Sequence, residues 1–148
     1  MTDRLQIYCH GLCKPRSPGG WGCWAWVAYE GTTKVHEAGG CIVPTLMMTD
    51  NVAEYVAVGK ALHWCQEQGH TAPALFTDSA TIVNQVSGSW KCDHPYLLKL
   101  RDAVRERAQT VGGVTLRWCP RSMNRAAENM AQNAYTALSD LVVGSTPS

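Results

Sequence analysis

Three carboxylates and one histidine lie at the ends of predicted strands and helices, where side chains are available for chemistry. Glu54 falls in the first turn of a predicted helix, Asp78 closes a strand, Glu128 lies near the start of the last helix, and His10 ends the first strand. Strand ends and helix starts of an α/β sheet gather on one edge, so the carboxylates could converge there. Clustered carboxylates repel one another, and a divalent cation such as Mg²⁺ or Mn²⁺ relieves the repulsion. The pattern favours a metal site, although each carboxylate alone also fits a structural role at a helix N-terminus.

The elements that must position these residues follow one another in the order βββαβααβα. Apolar periodicity and turn residues predict strands over residues 4–9, 21–30, 33–43, 74–78 and 114–119, and helices over residues 51–68, 79–88, 95–110 and 124–141. Hairpins followed by alternating strands and helices predict an α/β fold with helices covering a five-stranded mixed sheet, in which a three-strand antiparallel meander is joined by two parallel strands. We expect one domain over residues 1–141 and a flexible tail over residues 142–148.

Composition limits the classes of function. A chain of 148 residues with 45% hydrophobic residues can bury a core, and a net charge of +1 gives no general attraction to polyanions. Nucleic-acid binding would therefore depend on local patches. No apolar stretch approaches the length of a membrane span, so we expect a cytoplasmic, monomeric protein with no membrane partner.

The cysteines predict thiols rather than a disulfide framework. There are seven, an odd number, and no CxxC pair occurs. A zinc site built from Cys9, His10 and Cys13 is disfavoured, because neighbouring residues of a strand point to opposite faces.

Four segments resemble those of one enzyme family. MTDNVAEYVAVGKAL, FTDSATIVNQVSGSW and WCPRSMNRAAENMAQNAY resemble the TNNxAE, (T/S)DS and WxPRxxNxxAD segments of type 1 ribonuclease H, and GLCKPRSPGGWG is similar to that family's DGxCxxxxPGG turn. The segments occur in the family's order and span about residues 4 to 138. The short connection from Gly88 to Pro95 resembles the compact archaeal-type and bacterial members, which lack a basic protrusion. The resemblance implies a ribonuclease H-like fold and endonucleolytic hydrolysis of the RNA strand of RNA/DNA hybrids.

The same resemblance implies a catalytic site of four residues that bind two divalent ions, Mg²⁺ or Mn²⁺. The family's Asp-Glu-Asp-Asp set corresponds here to His10, Glu54, Asp78 and Glu128. Glu128 keeps the charge of the family's aspartate. His10 replaces the first aspartate with one nitrogen lone pair, so it cannot bridge two ions, and Mg²⁺ affinity should fall more than that of the softer Mn²⁺ or Zn²⁺.

Three interpretations of His10 follow. It is a metal ligand in a modified nuclease, the mark of a nuclease fold that binds hybrids without cutting them, or a hydrogen-bonded histidine whose lost metal contact other residues offset. The second interpretation is the main alternative to catalysis. A nuclease of the wider integrase and resolvase superfamily, acting on double-stranded nucleic acid, is a third and more distant hypothesis.

The resemblance also implies residues that contact the hybrid. They lie in four segments and are Gly11, Leu12 and Cys13; Thr49, Asp50 and Asn51; Trp90 and Lys91; and Arg121. Short polar groups can recognise a 2′-hydroxyl, and an indole can lie against a DNA sugar or base. The alternatives are helix capping for Asp50 and Asn51, core packing for Trp90, and an ordinary surface charge for Arg121. The other tryptophans, Trp118 among them, are expected to pack in the core.

Overall fold

One mixed sheet organises the chain. The computed structural model describes residues 4–144, the last three by their backbone only. The strands are β1 (Leu5–Lys14), β2 (Trp21–Glu30), β3 (Thr33–Ile42), β4 (Ala74–Thr77) and β5 (Leu116–Trp118), arranged in the order β3-β2-β1-β4-β5. The pairs β1–β2 and β2–β3 are antiparallel, whereas β4 runs parallel to β1 and β5 parallel to β4. The predicted fold class is confirmed.

Four helices cover the two faces of the sheet. They are α1 (Asp50–Gln68), α2 (Ala80–Ser87), α3 (Pro95–Thr110) and α4 (Arg125–Gly144), and a short 3-10 turn (Arg121–Met123) precedes α4. Strand residues alternate between the faces, so that Ile7 and Trp26 belong to the main core with α1, whereas Leu12 and Ala25 pack against Ala131 of α4. The helix α4 continues through residues 142–144, and residues 145–148 of the predicted tail lie outside the described residues. No helix in the described part is both long and apolar enough to cross a membrane.

The first strand is longer than predicted. We expected it to end at Cys9, but β1 continues to Lys14 because β2 pairs with it along its whole length. On its other side β1 pairs with β4 only from Gln6 to Cys9. His10 therefore lies within β1 rather than at its end, at the point where the neighbouring strand β4 stops.

The prediction that all cysteines are free thiols is wrong for one pair, because Cys23 and Cys41 form a disulfide between β2 and β3. The pairing changes register between Ala28 and Tyr29, where Val35 is an extra residue in β3. Without that bulge, Cys23 would lie opposite Gly40. Sequence spacing alone does not reveal such a shift.

Candidate metal centre and cleft

Three side chains from three elements meet where β4 ends beside β1. His10 lies within β1, Glu54 lies in α1, and Asp78 follows the last residue of β4. Their ligand atoms all lie within 4.8 Å of one another. These three residues are hereafter the His–Glu–Asp cluster. Cys9 lies in the main core instead, as the strand alternation predicts.

Glu54 reaches the cluster because α1 approaches β1 very closely at Gly11. A Cβ atom at Gly11 would lie 2.2 Å from the carbonyl carbon of Ala53, so only glycine fits there. Glu54 is 6% exposed, and its Oε2 accepts a hydrogen bond of 3.0 Å from the Thr77 hydroxyl. Burial raises the pKa of Glu54 to about 7, against the opposing effects of His10 and of the Gly11 backbone.

His10 bridges the two carboxylates. Its Nδ1 lies 3.0 Å from Oδ1 of Asp78 and 3.3 Å from Oε1 of Glu54. Burial alone would lower the pKa of His10, but the hydrogen bond to Asp78 and the surrounding negative charges together raise it. For Asp78, burial acts to raise the pKa, but hydrogen bonds from His10 and Asn124 lower it below the usual aspartate value. The cluster is thus arranged to hold a proton between an imidazole and two carboxylates.

Asn124 is a member of this site that sequence reasoning missed. We expected it to cap α4, but its buried Nδ2 donates 2.8 Å hydrogen bonds to the carbonyl of Cys9 and to Oδ1 of Asp78. Its Oδ1 has no partner within the described residues, so the side chain does not cap α4. The asparagine ties the 3-10 turn to β1 and fixes Asp78. Trp118 was also misassigned to the core: it is 54% exposed, and its indole N–H donates to the carbonyl of Asp78 at 3.3 Å.

The fourth predicted ligand, Glu128, lines the same cleft but does not belong to the His–Glu–Asp cluster. Both oxygens of Glu128 accept hydrogen bonds from Arg121, at 2.8 Å from Nε and 2.6 Å from Nη2. The Arg121 guanidinium lowers the pKa of Glu128. One nitrogen and two carboxylates of the His–Glu–Asp cluster suit a single divalent cation of borderline character. They do not complete the four-acid set of a two-ion site.

A cleft of about 440 Å³ surrounds these groups. Four of the predicted contact residues line it, namely Gly11, Leu12, Asp50 and Arg121. Three further lining residues were not predicted, namely Lys14, Asn129 and Gln132. Gln132 could have been found, since it follows Glu128 by four residues on one face of the helix, and Asn129 lies three residues before Gln132.

The remaining predicted contact residues occupy other places. Thr49 caps α1 by accepting from the Val52 amide, and with Asn51 it lines a separate groove beside His94. Trp90 and Lys91 are exposed on the connection between α2 and α3. Core packing is therefore not the role of Trp90.

Asp50 and Cys13 form one structural unit. Asp50 does not cap α1, and its Oδ1 instead accepts a 2.7 Å hydrogen bond from the backbone amide of Cys13. The Cys13 side chain is buried, and its backbone amide is engaged by Asp50, so Cys13 offers no free donor to a ligand.

Comparison with known proteins agrees with this architecture. A family model described as "Reverse transcriptase-like" matches residues 34–134. The bifunctional protein Rv2228c of Mycobacterium tuberculosis is 34% identical over 120 residues, which are 81% of this chain and 32% of that protein. This chain thus spans about a third of the length of that relative.

Two solved structures are similar over nearly the whole chain. RNase H1 from Halobacterium salinarum has a TM-score of 0.82 and 28% identity, covering 90% of this chain and 98% of that one. LC11-RNase H1 in complex with RNA/DNA hybrid has a TM-score of 0.80 and 26% identity, covering 91% and 99%.

Proposed function

The chain belongs to the reverse transcriptase-like family and has the ribonuclease H fold, and we propose that it hydrolyses the RNA strand of RNA/DNA hybrids with a divalent cation held by the His–Glu–Asp cluster. The observation that carries this proposal is the convergence of three ligand atoms within 4.8 Å at the end of β4. Ligands of α/β sheets bind outside the carboxyl ends of the strands.

The donor set determines which cation fits. A bound divalent ion would polarise a phosphodiester and lower the pKa of a water molecule. His10 contributes a nitrogen donor, which favours Mn²⁺ over Mg²⁺, while Glu54 and Asp78 contribute the negative charge. Asn124 and Thr77 hold the two carboxylates in place through their hydrogen bonds.

The cleft supplies groups for the nucleic acid. Lys14 and Arg121 both line it and are suited to backbone phosphates. The hydrogen bond from Cys13 to Asp50 fixes the backbone beside Gly11, where amide and carboxylate groups could meet a 2′-hydroxyl. Trp90 and Lys91 offer an exposed indole and a cation for the DNA strand.

A second candidate is hybrid binding without cleavage. The His10 imidazole, which is a cation when protonated, contacts Glu54 and Asp78, and the Arg121 guanidinium contacts Glu128. A site neutralised in this way could bind a hybrid in the absence of any divalent ion.

Cleavage of an end-labelled RNA/DNA hybrid tests the proposal. We expect cleavage by the native protein to be faster in Mn²⁺ than in Mg²⁺, and His10→Asp to recover activity in Mg²⁺. Tight binding with no cleavage in either metal would select the second candidate. Equal rates in Mg²⁺ for the native protein and His10→Asp would contradict the role given to His10.

A further inference from the structure

The ion pair between Arg121 and Glu128 has a geometry that excludes a metal from Glu128. The guanidinium uses two of its nitrogens to meet both carboxylate oxygens, at 2.8 and 2.6 Å. Both oxygens thus already meet a cation, which weakens the attraction of this carboxylate for a metal ion. In the free protein, Glu128 is therefore occupied by a group of the same charge sign as a metal ion.

The ion pair is local and easily opened. Arg121 begins the 3-10 turn and Glu128 lies in the first turn of α4, so the pair joins two neighbouring elements without crossing the core. The Arg121 side chain is 77% exposed and that of Glu128 is 21% exposed. Exposed ion pairs contribute little to stability, so the guanidinium can leave Glu128 at small cost.

A phosphate is the natural competitor for this guanidinium. Arginine binds phosphate and carboxylate with the same bidentate geometry. Lys14 lines the same cleft, so a strand that brings a phosphate there meets two cations. The second cation adds to the attraction of the cleft for the strand, which favours transfer of the guanidinium from Glu128 to a phosphate.

We propose that Arg121 is a latch on Glu128, which keeps this carboxylate from metal in the free protein and releases it when a backbone phosphate of the bound hybrid takes the guanidinium. The substrate in this statement rests on the proposed function. The consequence is that the acidic site gains its fourth carboxylate only when nucleic acid is present. Metal bound without substrate would be held by the His–Glu–Asp cluster alone.

The pairing of Arg121 with Glu128 in the free protein is tested without nucleic acid. The quantity measured is the Mn²⁺ affinity, obtained from the electron paramagnetic resonance signal of free Mn²⁺. Four proteins are compared: native, Glu128→Gln, Arg121→Gln and the double variant. Because Glu128 is held by Arg121, Glu128→Gln should change the affinity of the native protein less than about twofold, but should weaken that of Arg121→Gln by about three- to tenfold. An equal loss of Mn²⁺ affinity in both backgrounds, or no loss in either, would show that Arg121 does not keep Glu128 from the metal.

Arg125→Gln is the matched control. Arg125 is an exposed arginine in the same segment and forms no ion pair within residues 4–144. The Arg125→Gln substitution removes the same charge as Arg121→Gln. In the Arg125→Gln background, Glu128→Gln should therefore change the Mn²⁺ affinity as little as it does in the native protein. If Glu128→Gln instead weakens Mn²⁺ binding as much in Arg125→Gln as in Arg121→Gln, the cause is net charge, and the proposal that Arg121 holds Glu128 is wrong.

The release step is read from the Arg121 Nε–H signal in a ¹⁵N–¹H spectrum, assigned by its loss in Arg121→Gln. A hybrid added in EDTA, where no cleavage occurs, should shift this signal away from the position set by Glu128. Binding that shifts other signals and leaves this one unmoved would overturn the release step alone. Failure of the hybrid to bind would overturn both the release step and the proposed function, while the Mn²⁺ comparison would still decide whether Arg121 holds Glu128.

Discussion

Lowering the pH from 8 to 6 is expected to weaken Mn²⁺ binding to the native protein by about tenfold or more, because the His–Glu–Asp cluster must lose protons to bind a cation. The magnitude follows from Glu54, whose burial raises its pKa to about 7. With that pKa, about one carboxyl in eleven is ionised at pH 6 and about ten in eleven at pH 8, which is a tenfold difference.

His10 adds to the effect in the same direction. Its pKa is raised above the ordinary histidine value, and an imidazolium has no lone pair to offer a metal. Both groups therefore release protons when the cation binds, and affinity rises with pH. Asp78 contributes nothing in this range, because its pKa is lowered.

Titrations of Mn²⁺ at pH 6, 7 and 8 give the affinity directly. In Glu54→Gln the affinity is lower overall, and its remaining pH dependence should be that of His10 alone. An affinity that is constant over this range, or that increases toward pH 6, would overturn this prediction. It would mean that Glu54 is ionised and His10 neutral throughout, and that burial does not control the cluster.

Three further predictions concern stability, each measured as the free energy of unfolding in urea. Mn²⁺ at a hundred times its Kd should add about 2.7 kcal/mol to the native protein, and the same concentration should add less to Asp78→Asn. Gly11→Ala should cost about 3 kcal/mol or more, since its Cβ would lie 2.2 Å from the backbone of Ala53. Gly59→Ala is the control: nothing lies within 4 Å of its new Cβ, so it should be neutral or stabilising by up to about 1 kcal/mol. Asn124→Ala should cost about 1–3 kcal/mol, because the carbonyl of Cys9 loses its buried donor; a loss below about 0.5 kcal/mol would contradict that role.

Periodicity and turn residues predict the elements of the fold well but not how far each strand pairs. The order of elements and the mixed sheet follow from apolar alternation, helical spacing and the turn residues between the elements. The continuation of β1 to Lys14 depends on pairing with β2, which is a tertiary contact. The disulfide between Cys23 and Cys41 depends on a one-residue bulge at Val35, which no local pattern marks.

The site, like the fold, was predicted only in part from the sequence. The prediction that Glu54 and Asp78 approach each other follows from their places at a helix start and a strand end. The separate pairing of Glu128 with Arg121 depends on side-chain geometry across seven residues of turn and helix. The role of Asn124 was hidden because its type and position also fit a helix cap, and only the folded chain brings its side chain to Asp78.

The proposed function is cleavage of RNA paired with DNA by a cation held in the His–Glu–Asp cluster. The most direct measurement is single-turnover cleavage of the RNA strand of a labelled hybrid in Mn²⁺ at pH 8 by the native protein, by Asp78→Asn, and by Asp102→Asn, a charge-matched control on the exposed surface of α3. We predict cleavage by the native protein and Asp102→Asn at similar rates, and loss of cleavage in Asp78→Asn with hybrid binding retained. Cleavage by Asp78→Asn at the native rate would contradict the account.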